Sequence, residues 1–168
     1  REDHVVLKCT VDGKLLLTIG ELGKTNGSND TRLLGQPADI TVDDDANEVY
    51  IADGYGNRRV VVFDATTGAY KRHWGAYGEV PVDGPLPPYD PSQPTIRSFR
   101  NPVHSVRISN DGLVYATDRI NDRIQVFQKD GTYVTETFVR RETLGAGSTW
   151  DVRSEEHTSE LQSLAYLV

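Results

Sequence analysis

An internal repeat is the feature that most constrains how this chain can fold. Residues 37–75 align with residues 102–138, and two strand-end aspartates, Asp53 and Asp118, fall at matching positions. Further matched pairs are Pro37 with Pro102, Tyr50 with Tyr115 and, after one deleted residue, Asn57 with Asn121, Arg59 with Arg123, and Phe63 with Phe127. Repetition of a segment of this length indicates structural units that bury their faces against one another.

Two partial copies flank the complete ones. Residues 3–20 align with the second half of a complete copy, and residues 148–152 read as the beginning of another. We therefore expect residues 1–152 to hold a partial unit, two full units and the start of a fourth. The chain contains no methionine, so we also expect its natural N-terminus to lie outside this sequence.

Each complete copy contains four short runs with the alternation of apolar and polar residues that is typical of β-strands. In the first full copy these runs are residues 38–43, 49–53, 58–64 and 70–74. Turn-forming residues such as Thr66-Thr67-Gly68 separate the runs. Repeated units of four antiparallel strands predict an all-β chain that forms part of a β-propeller.

Two inserts lengthen the spacing between copies, at residues 21–34 and at the proline-rich residues 76–98. Each insert follows the last strand of a unit in the alignment. Segments of this length without strand or helix patterns usually run over a protein surface. We therefore expect both inserts to be surface loops.

Most repeat-defining residues should serve packing, because each unit must first satisfy its neighbours. We expect Asp53 and Asp118 to accept backbone hydrogen bonds at the ends of strands. Arg59 and Arg123 should bind those turns or the neighbouring units. The residues expected in the core between units are Val60, Phe63, Ile124 and Phe127.

Three residues depart from the repeat at one end of the predicted blades. His104 lies near the start of the innermost strand of the second full blade, where the first blade has Asp39. Arg119 follows the next strand, and Tyr55 occupies the corresponding loop of the preceding blade. Strand order alone brings these residues to one rim. Each also has an ordinary structural use, as a hydrogen-bonded turn histidine, a surface ion pair or a half-buried loop aromatic.

The repeated pattern P-x-x-[IV]-x-[VI], then D-G-x-[VL]-Y and N-x-R-[VI]-x-V-F, resembles the NHL repeat over residues 3–152. This resemblance implies a six-bladed propeller of which the chain would be a fragment. The segments DGYGNRRV, FRNPVHS and TDRINDRIQVF, residues 53–60, 99–105 and 117–127, are similar to the peptidyl-α-hydroxyglycine α-amidating lyases. That family is an NHL-type propeller that cleaves hydroxyglycine-extended peptides to a peptide amide and glyoxylate.

The resemblance to the lyases implies a role for each of the three rim residues. His104 would bind zinc, Tyr55 would take the hydroxyl proton of the substrate, and Arg119 would bind or stabilise the substrate. The family has a plain P-H-S where this chain reads Pro102-Val103-His104-Ser105. The resemblance also implies a calcium ion, a peptide or small-molecule substrate and a secreted or extracytoplasmic location.

The implied chemistry is consistent with these residue types. A catalytic zinc takes about three protein ligands and keeps an open position for substrate. A tyrosine with a reference pKa of about 10 needs a neighbouring cation to act as a base at neutral pH. The other histidines, His4 in a turn and His73 in an outer strand, do not supply the missing ligands. We therefore expect the missing zinc ligands to lie on blades outside this sequence. The segment alone is expected to be inactive.

The competing hypothesis is a non-catalytic NHL propeller that binds a protein or peptide at its channel mouth. RNA binding is disfavoured by the formal charge of −7 and by the lack of a basic stripe. No run of residues is long and apolar enough to predict a membrane helix. The single cysteine, Cys9, excludes a disulfide within the sequence.

The last sixteen residues, 153–168, lack the repeat pattern and are expected to be an artefactual tail. Residues 153–163, RSEEHTSELQS, resemble the translation of a common sequencing-library adapter, and the final residues fit its continuation. We therefore leave the tail, including His157, out of the functional interpretation.

Overall fold

The fold is known from a computed structural model that describes residues 2–153. Those residues form antiparallel β-strands and one short 3₁₀ turn, Ala76–Gly78, and contain no α-helix. The strands are β1 Val5–Cys9, β2 Leu15–Gly20, β3 Asp39–Asp43, β4 Glu48–Asp53, β5 Arg59–Asp64, β6 Tyr70–Trp74, β7 Val103–Ile108, β8 Val114–Asp118, β9 Arg123–Phe127 and β10 Tyr133–Phe138. The predicted all-β fold class is confirmed. No helix in this part of the chain is long and apolar enough to cross a membrane.

The strands form two complete four-stranded sheets and one two-stranded sheet. The complete sheets have the strand orders β3-β4-β5-β6 and β7-β8-β9-β10, so each is a simple meander with antiparallel neighbours. Tight turns connect the strands, and Asp64 Oδ1 accepts hydrogen bonds from the backbone of Thr66 and Thr67 in one of them. The remaining pair, β1 and β2, corresponds to the third and fourth strands of a blade.

The middle strands of the first full blade alternate between two hydrophobic cores. Tyr50 and Val62 face the core shared with the second full blade, which also contains Phe99 and Phe127. On the opposite face, the next residues along β4 and β5 pack against the β1–β2 pair and the first insert: Val49, Ile51, Val61 and Phe63 with Ile19 and Leu34. A strand with both faces covered reads as a continuous apolar run, which explains the sequence Val60-Val61-Val62-Phe63.

The two full blades lie side by side around the innermost strands. Strand β7, which begins the second blade, packs against β3 and β4 of the first. A further contact is electrostatic, because Arg107 on β7 bonds to Asp39 on β3. This stacking of meanders about a shared inner edge is the arrangement of a β-propeller.

A buried group of three polar residues recurs at the end of the second strand of each blade. Asp53 Oδ2 accepts hydrogen bonds from Asn57 and from Arg59 Nε, at 2.7 and 2.9 Å. Asp118 Oδ2 receives the equivalent bonds from Asn121 and Arg123, at 2.7 and 2.8 Å. Each aspartate also accepts a backbone N–H, from Gly35 and from Arg100. The predicted structural roles of the aspartates and arginines are confirmed.

The two inserts follow outer strands as expected, but they are more than surface loops. Leu34 and Ser28 in the first insert are completely buried. The buried arginines hold the insert backbones, since Arg59 donates to the carbonyls of Ser28 and Leu33. Arg123 donates in the same way to Ile96 and Ser98 at the end of the second insert. Most residues of both inserts are exposed or half-buried, as expected of surface loops, and their anchoring follows from the need of buried arginines for carbonyl partners.

Residues 148–152, which the alignment reads as the start of a further blade, form no strand in the structure. Asp151 nonetheless makes an ion pair of 3.1 Å with Arg107 on the innermost strand of the second blade. The assignment of these residues to a next blade stays a prediction. The predicted artefactual tail lies outside the described residues, apart from Arg153.

Candidate active site at the blade rim

The loop that carries Tyr55 is held by the blade that follows it. The Asn101 side-chain amide donates to the carbonyls of Gly54, Tyr55 and Asn57, at 3.0, 3.3 and 2.8 Å. Gly54 has no space for a side chain, because a Cβ there would lie 1.9 Å from the carbonyl oxygen of Val103. The tyrosine loop and the start of β7 therefore meet backbone to backbone.

A β-bulge at the start of β7 presents His104 to the rim. Val103 pairs with Asp118, and Ser105 pairs with Thr117, so that His104 has no partner on β8. A bulge of this kind lets one extra residue enter a strand and redirects its side chain. The residue that the sequence comparison treated as an extra insertion is therefore accommodated without shifting the rest of the ladder.

The bulge corrects the predicted equivalence between His104 and Asp39. Asp39 pairs with Ala52, one position before the strand-end aspartate of the first blade. The matching position in the second blade is Ser105, which pairs with Thr117. The equivalence was wrong by one residue because an ungapped comparison cannot register a bulge.

His104 hydrogen-bonds through both of its ring nitrogens. Nδ1 lies 2.5 Å from the carbonyl oxygen of Trp150, and Nε2 lies 3.1 Å from the hydroxyl of Tyr55. Because a carbonyl can only accept, Nδ1 carries the proton and Nε2 offers its lone pair to the phenol. The rings of Tyr55 and His104 meet edge to face, with 5.8 Å between their centres.

Arg119 lies over the same group of rings. Its guanidinium carbon is 4.2 Å from the centre of the Trp150 ring and 6.0 Å from that of Tyr55. Among the residues that the structure describes, its Nε is buried without a hydrogen-bond partner. The predicted convergence of Tyr55, His104 and Arg119 at one rim is what the structure shows. Their catalytic roles stay predictions.

Trp150 is a site residue that the sequence comparison missed. It contacts both His104 and Arg119, and the His104 and Trp150 ring centres are 5.2 Å apart. The sequence identified it only as the beginning of another copy of the repeat. Its place in residues 148–152, which align with the beginning of a repeat as His104 does, is the signal that could have placed it at the rim.

The described residues do not make a complete zinc site. No group of three or more histidine, cysteine, aspartate or glutamate side chains in residues 2–153 is arranged to hold a metal ion. His104 already bonds through both nitrogens, and His4 and His73 bond elsewhere, to the Gln36 backbone and to Tyr70. His104 is thus a single candidate ligand, and a zinc ion would have to replace Tyr55 at Nε2.

Comparison with known proteins finds a known repeat in the first full blade. Residues 34–63 match the family model for the NHL repeat. That match and the four-stranded meanders are consistent with part of an NHL-type β-propeller. A designed protein of known structure, Ika8, aligns over 92% of this chain and 48% of its own with a TM-score of 0.38 and 12% identity. That likeness is too weak to support an argument.

The chain is similar in sequence to two kinds of protein. It is 32% identical over 135 residues to peptidyl-glycine alpha-amidating monooxygenase B of Xenopus laevis, covering 79% of this chain and 14% of that protein. It is 31% identical over 129 residues to human NHL repeat-containing protein 3, covering 76% of this chain and 32% of that protein. The chain therefore spans a minor part of each of these relatives.

Proposed function

We propose that these blades carry part of the active site of a carbon–nitrogen lyase related to the amidating enzymes. The substrate would be a hydroxyglycine-extended peptide or a similar small molecule with a hydroxyl and a carboxylate. The observation that supports this most is the hydrogen bond between Tyr55 of one blade and His104 of the next. Sequence similarity to an amidating monooxygenase supports it independently.

Three residues of this chain would each have a role in such a reaction. Tyr55 would take the proton of the substrate hydroxyl, and His104 would bind zinc through Nε2, the nitrogen that here bonds to the Tyr55 hydroxyl. The carbon–oxygen double bond of glyoxylate then forms as the carbon–nitrogen bond breaks, and Tyr55 would return the proton to the departing amide nitrogen. Arg119 would hold the substrate carboxylate, since its guanidinium has no carboxylate partner in residues 2–153.

A zinc ion at His104, and a calcium ion elsewhere, remain part of the proposal only through the family resemblance. Zinc would polarise the substrate hydroxyl when bound, but its other ligands would have to lie outside residues 2–153. The secreted or extracytoplasmic location is likewise proposed from the resemblance alone.

Replacing Tyr55 with phenylalanine tests the proposal. In the full-length protein, with a hydroxyglycine-extended peptide as substrate, kcat should fall by about 100-fold or more because a positioned base is lost. KM should change little, because the ring remains beside Arg119. The matched control is Tyr115→Phe, a half-buried tyrosine on β8, which should retain wild-type kinetics. Wild-type turnover in Tyr55→Phe would exclude Tyr55 as the base.

A non-catalytic binding propeller is the second candidate. Similarity to NHL repeat-containing protein 3 is as high as similarity to the amidating enzymes, and the described residues hold no metal cluster. A protein or peptide partner would then dock at the rim formed by Tyr55, Arg119 and Trp150. Tight binding of such a partner without metal, together with no lyase turnover in the full-length protein, would favour this function.

A further inference from the structure

We propose that Trp150 is a positioning residue, whose indole ring holds the Arg119 guanidinium so that its N–H groups face an anionic group of the ligand. Trp150 is 44% exposed, and the centre of its ring lies 4.2 Å from the guanidinium carbon. This inference rests on the proposed function only in taking Arg119 as the group that binds the substrate carboxylate.

The backbone around Trp150 is fixed directly on Arg119. A Cβ at Gly147 would lie 1.9 Å from the Arg119 carbonyl oxygen, so the two backbones are in contact there. The Thr149 hydroxyl donates to the Asp118 carbonyl at 3.2 Å, and the indole Nε1 donates to the Gly147 carbonyl at 3.1 Å. The indole therefore presents a fixed face to the guanidinium.

The Arg119 guanidinium differs from those of other arginines in the blades in the kind of group that it contacts. Arg72, Arg107 and Arg123 each pair with a carboxylate, from Glu48, Asp39 and Asp118 respectively. No carboxylate among the described residues pairs with Arg119. Its guanidinium is held instead by aromatic faces, through a cation–π contact that occupies no N–H donor. The donors that a carboxylate would have used are left for a ligand.

The side chain and the main chain of Trp150 act on different residues. The indole contacts Arg119, whereas the carbonyl accepts the proton of His104 Nδ1. Substituting the side chain leaves the carbonyl in place. A Trp150 variant therefore tests the contact with Arg119 while keeping the tautomer of His104.

Binding of sodium glycolate, the simplest α-hydroxy carboxylate, provides a readout that does not depend on turnover. Calorimetric titration of the full-length protein should show about two- to fivefold weaker binding in Trp150→Ala, the range expected for losing one exposed cation–π contact. Trp150→Phe keeps an aromatic face and should bind within about twofold of wild type. In lyase assays, Trp150→Ala should raise KM more than it lowers kcat.

Two controls separate positioning from a general loss of structure. Tyr89→Ala removes the aromatic contact of a different arginine, Arg100, and should leave glycolate binding unchanged. In an Arg119→Gln background, Trp150→Ala should cause no further loss, because the two residues act as a unit. If Trp150→Ala fails to fold, Trp150→Leu, which keeps an apolar side chain but no aromatic face, takes its place.

Glycolate binding that is unchanged in a folded Trp150→Ala or Trp150→Leu protein would overturn the proposal. So would equal losses in the phenylalanine and alanine variants, or a full second loss in the Arg119→Gln background. Glycolate binding that depends on Trp150 in a protein with no lyase turnover would contradict the proposed function and keep this inference. Lyase turnover that does not change when Trp150 is replaced would support the proposed function and contradict this inference.

Discussion

Gly54 shows how closely the rim site depends on single positions. The residue lies between the end of β4 and Tyr55, and its α-carbon faces the backbone of Val103 in the next blade. Any side chain there would push apart the two segments that bring Tyr55 and His104 together. The glycine is therefore required by the approach of two blades and not by an unusual backbone angle.

Gly54→Ala should destabilise the protein by about 1–3 kcal/mol, the usual cost of overpacking. The new Cβ would lie 1.9 Å from the Val103 carbonyl oxygen, so the blades must separate to admit it. Urea denaturation measures the loss, and lyase assays should show lower kcat. The control is Gly75→Ala, where the nearest atom is at 3.2 Å. Equal stability of the two variants would contradict this account.

The residues that the sequence could locate are those whose neighbours are set by strand order. Tyr55, His104 and Arg119 all follow from the alignment of two repeats and the alternation along strands. The bulge at His104 could not be predicted in this way, because an alignment counts residues and does not show which of them pair. Trp150 was missed because it lies in residues 148–152, which form no strand, so strand order does not place it.

At the scale of elements, the blades depend on buried ion pairs that anchor their connecting loops. Arg59 and Asp53 are both fully buried, and Arg59 donates hydrogen bonds to backbone carbonyls of the first insert. The strands themselves were predictable, since alternation is a local signal. The docking of the inserts was not, because Arg59 and its carbonyl partners are separated by 26 to 31 residues.

Asp53→Asn should cost about 3 kcal/mol or more, because it leaves Arg59 as an uncompensated buried charge. Asp118→Asn should cost less, because Arg123 keeps a second carboxylate, Glu136, at 3.2 Å. Urea denaturation of both variants checks the order. Glu79→Gln, which breaks the exposed pair with Arg97, is the control and should cost at most about 1 kcal/mol. The reverse order of the two aspartate variants would contradict the proposed role of Glu136.

At the scale of the whole molecule, an ionic network joins the two full blades away from the rim. Arg72 on β6 of the first blade makes two hydrogen bonds to Glu48, at 2.8 and 2.6 Å. Its Nε donates to the carbonyl of Lys129, in the β9–β10 turn of the second blade, at 2.7 Å. Hydrogen bonds from Arg72 and Tyr50 lower the pKa of Glu48 to about 2.

The lowered pKa of Glu48 predicts a loss of stability in acid. A carboxylate whose pKa is lower in the folded state contributes its stability above the unfolded pKa, here 4.5. That contribution should disappear as the pH falls from about 4.5 towards 2. Thermal denaturation at a series of pH values should show this decline in wild type and a smaller one in Glu48→Gln. The exposed Glu142→Gln should follow wild type, and identical profiles for all three would refute the prediction.

The bulge at His104 has a consequence for how such blades can diverge. One additional codon places an imidazole at the rim while the pairs on either side, Val103 with Asp118 and Ser105 with Thr117, are kept. The first blade, which lacks that codon, is otherwise built on the same ladder. Duplicated blades can thus acquire reactive groups one at a time by short insertions, while the pairing of their strands stays the same.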